Sequence, residues 1–175
     1  MKGKKPGPVA LRYLSYRDRT EKEVADHLAK KDFEVSAIAS TLDELKRLGY
    51  INDERFALNW GRFRMEEKNI GRRRLAMEMK ARGLKDDTVE RALDTLATEI
   101  DEWDLALRAG QKKMSTLGGV DGGTQRRRLA HYLQRRGFAT GTVFKVVREL
   151  APHGGGAPLS RESDPEAFSP PPDAD

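Results

Sequence analysis

Three stretches of this chain superpose on one another without a gap, and no other feature restricts the fold so strongly. Lys31-Asp32-Phe33, Arg82-Gly83-Leu84 and Arg136-Gly137-Phe138 share one register, 51 and then 54 residues apart. Apolar side chains then fall into columns. Nine positions before the third residue of each triplet stand Val24, Leu75 and Leu129, and five before stand Leu28, Met79 and Leu133. Five after are Ile38, Val89 and Val143; nine after, Leu42, Leu93 and Val147; twelve after, Leu45, Leu96 and Leu150. Five filled columns in three copies are hard to obtain by chance.

The spacings are helical. Steps of four keep one face apolar, the 3.6-residue period rather than the two-residue period of a strand. Gly83 and Gly137 stand where a helix ends in a left-handed residue, a conformation cheap for glycine. Asp32 takes that place in the first copy. Thr20 with Glu23 makes a capping box, and Thr124 and Asp86 are expected N-caps. Upstream of each pair lies a further helical stretch: Val9 to Arg17, Asp53 to Glu67 and Ile100 to Met114. The fold expected is all-α: three tandem three-helix repeats, residues 9–48, 49–99 and 100–150, in an elongated, curved module. One copy has little apolar surface, so neighbours are expected to share a core. Residues 1–8 are expected to be a basic, flexible N-terminus.

Residues 151–175 differ in kind. They are rich in Pro and Gly and set Glu162, Asp164, Glu166, Asp173 and Asp175 against Arg161, which is −4. An acidic, disordered tail is expected there, able to occupy the basic body in cis. The whole chain is +5, so residues 1–150 carry +9, a body attracted to polyanions. Cysteine is absent, which removes disulfides and thiolate zinc sites and suits a reducing, cytoplasmic setting. No apolar run approaches the ~20 residues of a membrane helix, and no apolar segment follows the N-terminal lysines as in a secretory signal.

Two arginine triplets, Arg72-Arg73-Arg74 and Arg126-Arg127-Arg128, occupy one column block, where the first copy has Glu21-Lys22-Glu23. Both open a helix, where the backbone dipole disfavours cations by roughly 0.3–1 kcal/mol. A solvated helix face is the ordinary explanation of a charge run. The shared register and the unfavourable dipole point instead to anion contact, with Arg73 directed away from the core and Arg72 and Arg74 flanking it. The run Gly118-Gly119-Val120-Asp121-Gly122-Gly123-Thr124 echoes a phosphate loop but lacks the lysine and the preceding strand; a flexible connector is expected, the alternative being one phosphate held on free backbone N–H groups. His27, His131 and His153 show no metal-ligand spacing, and His27 and His131 are expected on polar flanks. No nucleophile has a local base, and no metal or cofactor is implied. Tyr13, Phe33, Phe56, Trp60, Trp103 and Phe138 fall on seams and build no stacking platform for bases.

Gly49-Tyr50-Ile51-Asn52-Asp53-Glu54-Arg55-Phe56-Ala57 resembles the signature of the RecX family, regulators of the bacterial recombinase RecA. Ala10-Leu11, Tyr13-Leu14, Arg17, Arg19 and Thr20-Glu21 with Glu23 resemble the family's opening segment. Gly71 through Leu75, with Glu78, Lys80 and Arg82-Gly83-Leu84, resembles its second-repeat segment. The likeness runs from about Val9 to Leu150. It implies a non-enzymatic monomer that binds RecA filaments on single-stranded DNA, lodges in the filament groove and acts in recombination, DNA repair and the SOS response. It further implies inhibition of filament extension, ATP hydrolysis, strand exchange and co-protease activity. Asp53, Arg55 and Phe56 are signature residues whose roles are expected to be structural: Asp53 a cap for the next helix, Arg55 paired with an acid, Phe56 in the core. A module binding duplex DNA directly and a protein-binding helical scaffold are the alternatives.

Overall fold

The computed structural model describes residues 5–151. Of the acidic tail expected over residues 151–175 only Ala151 is described, and it is buried; the rest, and residues 1–4 of the basic N-terminus, lie outside them. Nine helices run in order through the described residues: α1 Pro6–Leu14, α2 Glu21–Ala29, α3 Val35–Arg47, α4 Asp53–Lys68, α5 Arg72–Ala81, α6 Asp86–Glu99, α7 Glu102–Met114, α8 Gly122–Arg135 and α9 Thr140–Leu150. They form three three-helix units. α1 begins at Pro6 rather than Val9, because Pro in the first turn gives up an N–H that has no helical partner there.

Every column residue but Leu150 is buried on the face its spacing predicted, and Leu150 is half-buried against the same core. Val24, Leu28, Leu75, Met79, Leu129 and Leu133 are fully enclosed, each contributing on the order of 1.5–3 kcal/mol by burial. Thr20 forms the expected capping box with Glu23. Two other caps differ from expectation. Asp121 caps α8 by accepting the Thr124 N–H, so this helix starts a turn earlier than its counterparts and Thr124 lies inside it. Lys85 occupies the N-cap of α6 without a side-chain bond, and Asp86 falls in the first turn, where its charge meets the positive end of the helix.

The apolar core is divided unequally. Units two and three share one cluster running from Phe56 to Val147. Unit one has a separate cluster of Ala10, Val24, Leu28, Ile38, Leu42, Leu45 and Ile51. A core common to all neighbours was expected; unit one instead keeps its own cluster, closed by Ile51 from the turn before α4, and hydrogen bonds and an ion pair make further links to unit two.

The units join end to end through their second helices. The N–H groups of Gly71 and Arg73, at the start of α5, donate to the carbonyls of Arg136 and Gly137, at the end of α8 (2.8 and 3.1 Å). One repeat earlier, the Thr20 hydroxyl at the start of α2 donates to the Arg82 carbonyl at the end of α5 (2.8 Å). Thr20 and Gly71 hold equivalent register positions, as do Arg82 and Arg136. The left-handed glycines are the seats. A Cβ on Gly137 (φ 84°) falls 2.2 Å from the Arg74 nitrogen, and one on Gly83 (φ 83°) falls 2.2 Å from the Lys22 side chain. Asp32 adopts the same conformation (φ 61°) with its side chain exposed.

Alanine substitutions separate backbone strain from joint closure. Gly49 also has a positive φ, but a Cβ there meets nothing within 4 Å. Gly49→Ala is expected to cost about 1 kcal/mol. Gly137→Ala adds a backbone clash and is expected to cost about 2–4 kcal/mol, with Gly83→Ala in between because Lys22 is flexible. Equal losses at Gly49 and Gly137 in thermal unfolding would show that the joint does not depend on the missing side chain.

Candidate functional site

The two arginine triplets, alike in sequence, sit in different surroundings. Arg72 pairs with Glu90 (3.2 Å) and Asp94 (2.8 Å) on α6. Arg74 pairs with Glu78 (2.9 Å), which also holds Arg64 (2.7 Å). Arg73 is exposed; it borders a cleft of about 560 Å³ at the unit two–three joint, floored by Met65, Leu93, Ala97 and Ile100. The dipole penalty expected for arginines at a helix start is offset at α5, because the carbonyl end of α8 abuts it.

The second triplet opens further into solvent. Arg127 and Arg128 are exposed, and Arg127 donates to the Thr124 hydroxyl one turn away (3.2 Å). Arg126 is half-buried and engaged. Asp121 supplies the negative charge at this helix start. Hydrogen bonds from Thr124 hold its carboxyl below the usual carboxylate range, helped by the Gly123 N–H. The first triplet lies at the end of α8 and the second near its start, ~15 Å apart along the axis at 1.5 Å per residue.

The signature residues build the first joint. Asn52, not Asp53, caps α4 by accepting the Arg55 N–H (2.8 Å). Asp53 instead accepts the Glu21 N–H from unit one (2.9 Å), bridging the units. A carboxylate at the first position of α4 is displaced outward from the cap site and so meets the neighbouring helix start. Arg55 donates to the Gly49 carbonyl (3.1 Å) rather than to an acid, tying the turn that begins the signature. Phe56 is in the core as expected, stacked on Trp60. Arg82 pairs with Glu23 across the joint, and its guanidinium lies 4.7 Å from the Trp60 ring centre. Among the large apolar side chains of the signature, Tyr50 is left substantially exposed, at 53%.

His27 is half-buried and stacked on Tyr13 (3.9 Å), not on a polar flank, because its helix turns that position toward α1. Burial, with Lys31, Arg19 and Lys30 nearby, lowers its pKa. His131 is exposed, and His153 lies outside the described residues. Among the described residues no group of three or more His, Asp or Glu is arranged to hold a metal, and no helix is long and apolar enough to cross a membrane.

Charge is distributed unevenly. Residues 9–48 carry eight Lys and Arg against eight Asp and Glu; residues 49–99, eleven against ten; residues 100–150, ten against five. The ion pairs given by the geometry above and elsewhere on the first two units join groups between Glu21 and Glu99. The third unit therefore carries most of the folded body's uncompensated positive charge.

Three family models match in order: the RecX first, second and third three-helix domains, over residues 9–45, 52–93 and 99–147. A regulatory protein RecX of Amycolatopsis mediterranei is 30% identical over 146 residues, covering 83% of each chain. One of Streptomyces lividans is 32% identical over 141 residues, covering 81% of this chain and 74% of its own. The crystal structure of RecX from Lactobacillus salivarius superposes with a TM-score of 0.74 at 25% identity, covering 83% of this chain and 94% of that one.

Asp53 offers a test of the joint. Burial raises its pKa above the ordinary value, more than the Glu21 N–H lowers it. Its ionised form therefore costs stability, absent below the unfolded carboxylate pKa of about 3.9 and growing as pH rises through the folded value. Asp53→Asn keeps an acceptor for Glu21 without the charge. It is expected to match or exceed the parent's stability at neutral pH, with the difference vanishing in acid. Asp53→Ala, leaving the Glu21 N–H unpaired, is expected to lose about 1–2 kcal/mol at neutral pH. Denaturant unfolding across pH checks both, and a lower stability of Asp53→Asn at neutral pH would contradict the bridging role.

Proposed function

The chain belongs to the RecX family of regulatory proteins, and from that premise we propose that it is an inhibitor of a RecA-type recombinase. It binds the recombinase filament on single-stranded DNA, lies along the filament groove and limits extension, ATP hydrolysis, strand exchange and co-protease activity. The observation that carries this is the ordered match of all three domains across residues 9–147. The positive excess of the third unit supports it, since a filament groove presents DNA phosphates and acidic protein surface. The protein acts in the cytoplasm, as a monomer and without chemistry of its own.

Of the six triplet arginines, Arg73, Arg127 and Arg128 are the contact residues in this proposal, being exposed. Arg72 is engaged by carboxylates on α6, and Arg74 by Glu78 on its own helix. Three jointed units supply a succession of surfaces able to bridge neighbouring filament subunits. Binding at several weak sites along one groove gains from linkage: each later contact forms at high effective concentration.

The recombinase ATPase on single-stranded DNA tests the proposal. The wild-type protein should suppress it. Arg73→Ala with Arg127→Ala should leave unfolding within about 0.5 kcal/mol of the parent, weaken suppression and flatten its salt dependence by about one unit of slope per lost phosphate contact. Wild-type potency in the double variant would assign the two arginines to a solvated face. An unaffected ATPase with the wild-type protein would overturn the recombinase assignment. Sequence-dependent protection of duplex DNA without recombinase would favour the direct DNA-binding alternative.

A further inference from the structure

Two cations flank one tyrosine where units two and three join, and contacts to the end of α4 bring a third beside them. Tyr132 on α8 has the Lys113 ammonium, from α7, 5.8 Å from its ring centre, and the Arg136 guanidinium 5.1 Å from it. Arg136, just past the end of α8, also donates to the Lys68 carbonyl at the end of α4 (2.5 Å). The next residue, Asn69, turns left-handed (φ 46°) and accepts from Arg108 of α7 (3.2 Å). Lys113, Tyr132, Arg136 and Arg108 are thus linked across α7, α8 and the end of α4, where Lys68 is the last helical residue. Arg128 stands one turn before Tyr132, on the same face of α8.

None of Lys68, Arg108, Lys113 and Arg136 makes an ion pair with a carboxylate among the described residues. Glu66, Glu67 and Asp104 lie within a turn of Lys68 or Arg108 on their own helices, yet none of these acids closes on them. Arg72, Arg74 and Arg82, by contrast, are each neutralised by a neighbour. Holding like charges together without a counter-charge is unfavourable, and the Tyr132 ring and the α4 carbonyl offset only part of that cost. A polyanion would supply the missing compensation.

We propose that this surface is a seat for the phosphodiester backbone of a nucleic acid, with Lys113, Arg108 and Lys68 taking phosphates and Arg136 held in place by Tyr132. The proposal deepens the filament-binding reading by assigning the DNA contact to the α4–α7–α8 corner, outside the first arginine triplet. A nucleic acid fits better than an acidic protein because the cluster contains no exposed large apolar side chain. Those lie elsewhere, at Leu11, Tyr16, Val35, Leu48, Tyr50, Phe63, Met77 and Phe144. Protein interfaces have an apolar centre within a polar rim, whereas interfaces with nucleic acid are polar and strongly positive.

The test uses the full chain, a fluorescent oligothymidylate, a duplex of equal length and polyglutamate, all without recombinase. Lys113→Glu with Arg108→Gln is expected to weaken oligonucleotide binding by about tenfold or more at low salt and to lower the salt slope by about one to two units. Lys30→Glu with Arg47→Gln, an equal charge change on unit one, is expected to leave binding nearly unchanged. In the wild-type chain, bound oligonucleotide should slow acetylation of Lys68 and Lys113 but not of Lys30, which keeps the test decisive if a variant fails to fold. Equal losses in both double variants, unprotected Lys68 and Lys113, or preferential binding of polyglutamate would each overturn the seat. Because recombinase ATPase is not the readout, failure here is distinguishable from failure of the regulatory function.

Discussion

A helix end docked on a helix end is the contact on which this architecture depends. The free N–H groups at the start of α5 satisfy the free carbonyls at the end of α8, so two sets of unpaired backbone groups cancel without solvent. The approach is possible only because Gly137 turns left-handed and presents no side chain. The same contact explains how three arginines open a helix: the negative end of α8 faces them. Without the joint, Arg72 to Arg74 would be a cluster of cations on a positive helix end.

The two joints are built from different materials, and this divides the molecule mechanically. The second combines backbone hydrogen bonds with an apolar core continuous from Phe56 to Val147. The first relies on the Thr20 hydroxyl, the Asp53 carboxylate and the Glu23–Arg82 pair, with the unit-one core closed off behind it. Polar contacts of this kind contribute about 0.5–1.5 kcal/mol each, and those made by carboxylates titrate with pH, whereas apolar burial does not titrate. Units two and three therefore behave as one block, and unit one as an arm attached through Ile51 and polar groups. The cation surface around Tyr132 belongs to the block, where Arg136 serves both the joint and the surface.

Much of this was legible in the sequence because helical periodicity is local. The columns through Leu75, Met79, Val89 and Leu93 name the core directly, and Gly83 and Gly137 mark helix ends by their backbone preference alone. What closes on those glycines was not legible, since Gly71 and Arg73 find their carbonyls more than sixty residues away. The arginine triplets misled for a related reason. Their identical register suggested identical roles, but Arg72 meets acids on α6 that the third unit does not repeat. The Tyr132 surface was invisible for want of any local pattern: Lys68, Arg108, Lys113 and Arg136 come together only through tertiary packing. Asp53 was assigned to the wrong helix start because sequence proximity favoured α4, while the neighbouring α2 supplied a better-placed N–H.

Native-state hydrogen exchange of individual amides addresses the end-to-end docking most directly. Gly71 and Arg73 sit at a helix start, where amides ordinarily exchange as fast as exposed ones; docked on Arg136 and Gly137, they should exchange only when the block formed by units two and three opens. Gly122, at the exposed start of α8, provides the internal reference and should exchange rapidly. Protection of Gly71 and Arg73 matching that of the shared core would establish the joint in solution. Exchange of both at the rate of Gly122 would contradict it and remove the basis for treating the units as a connected array.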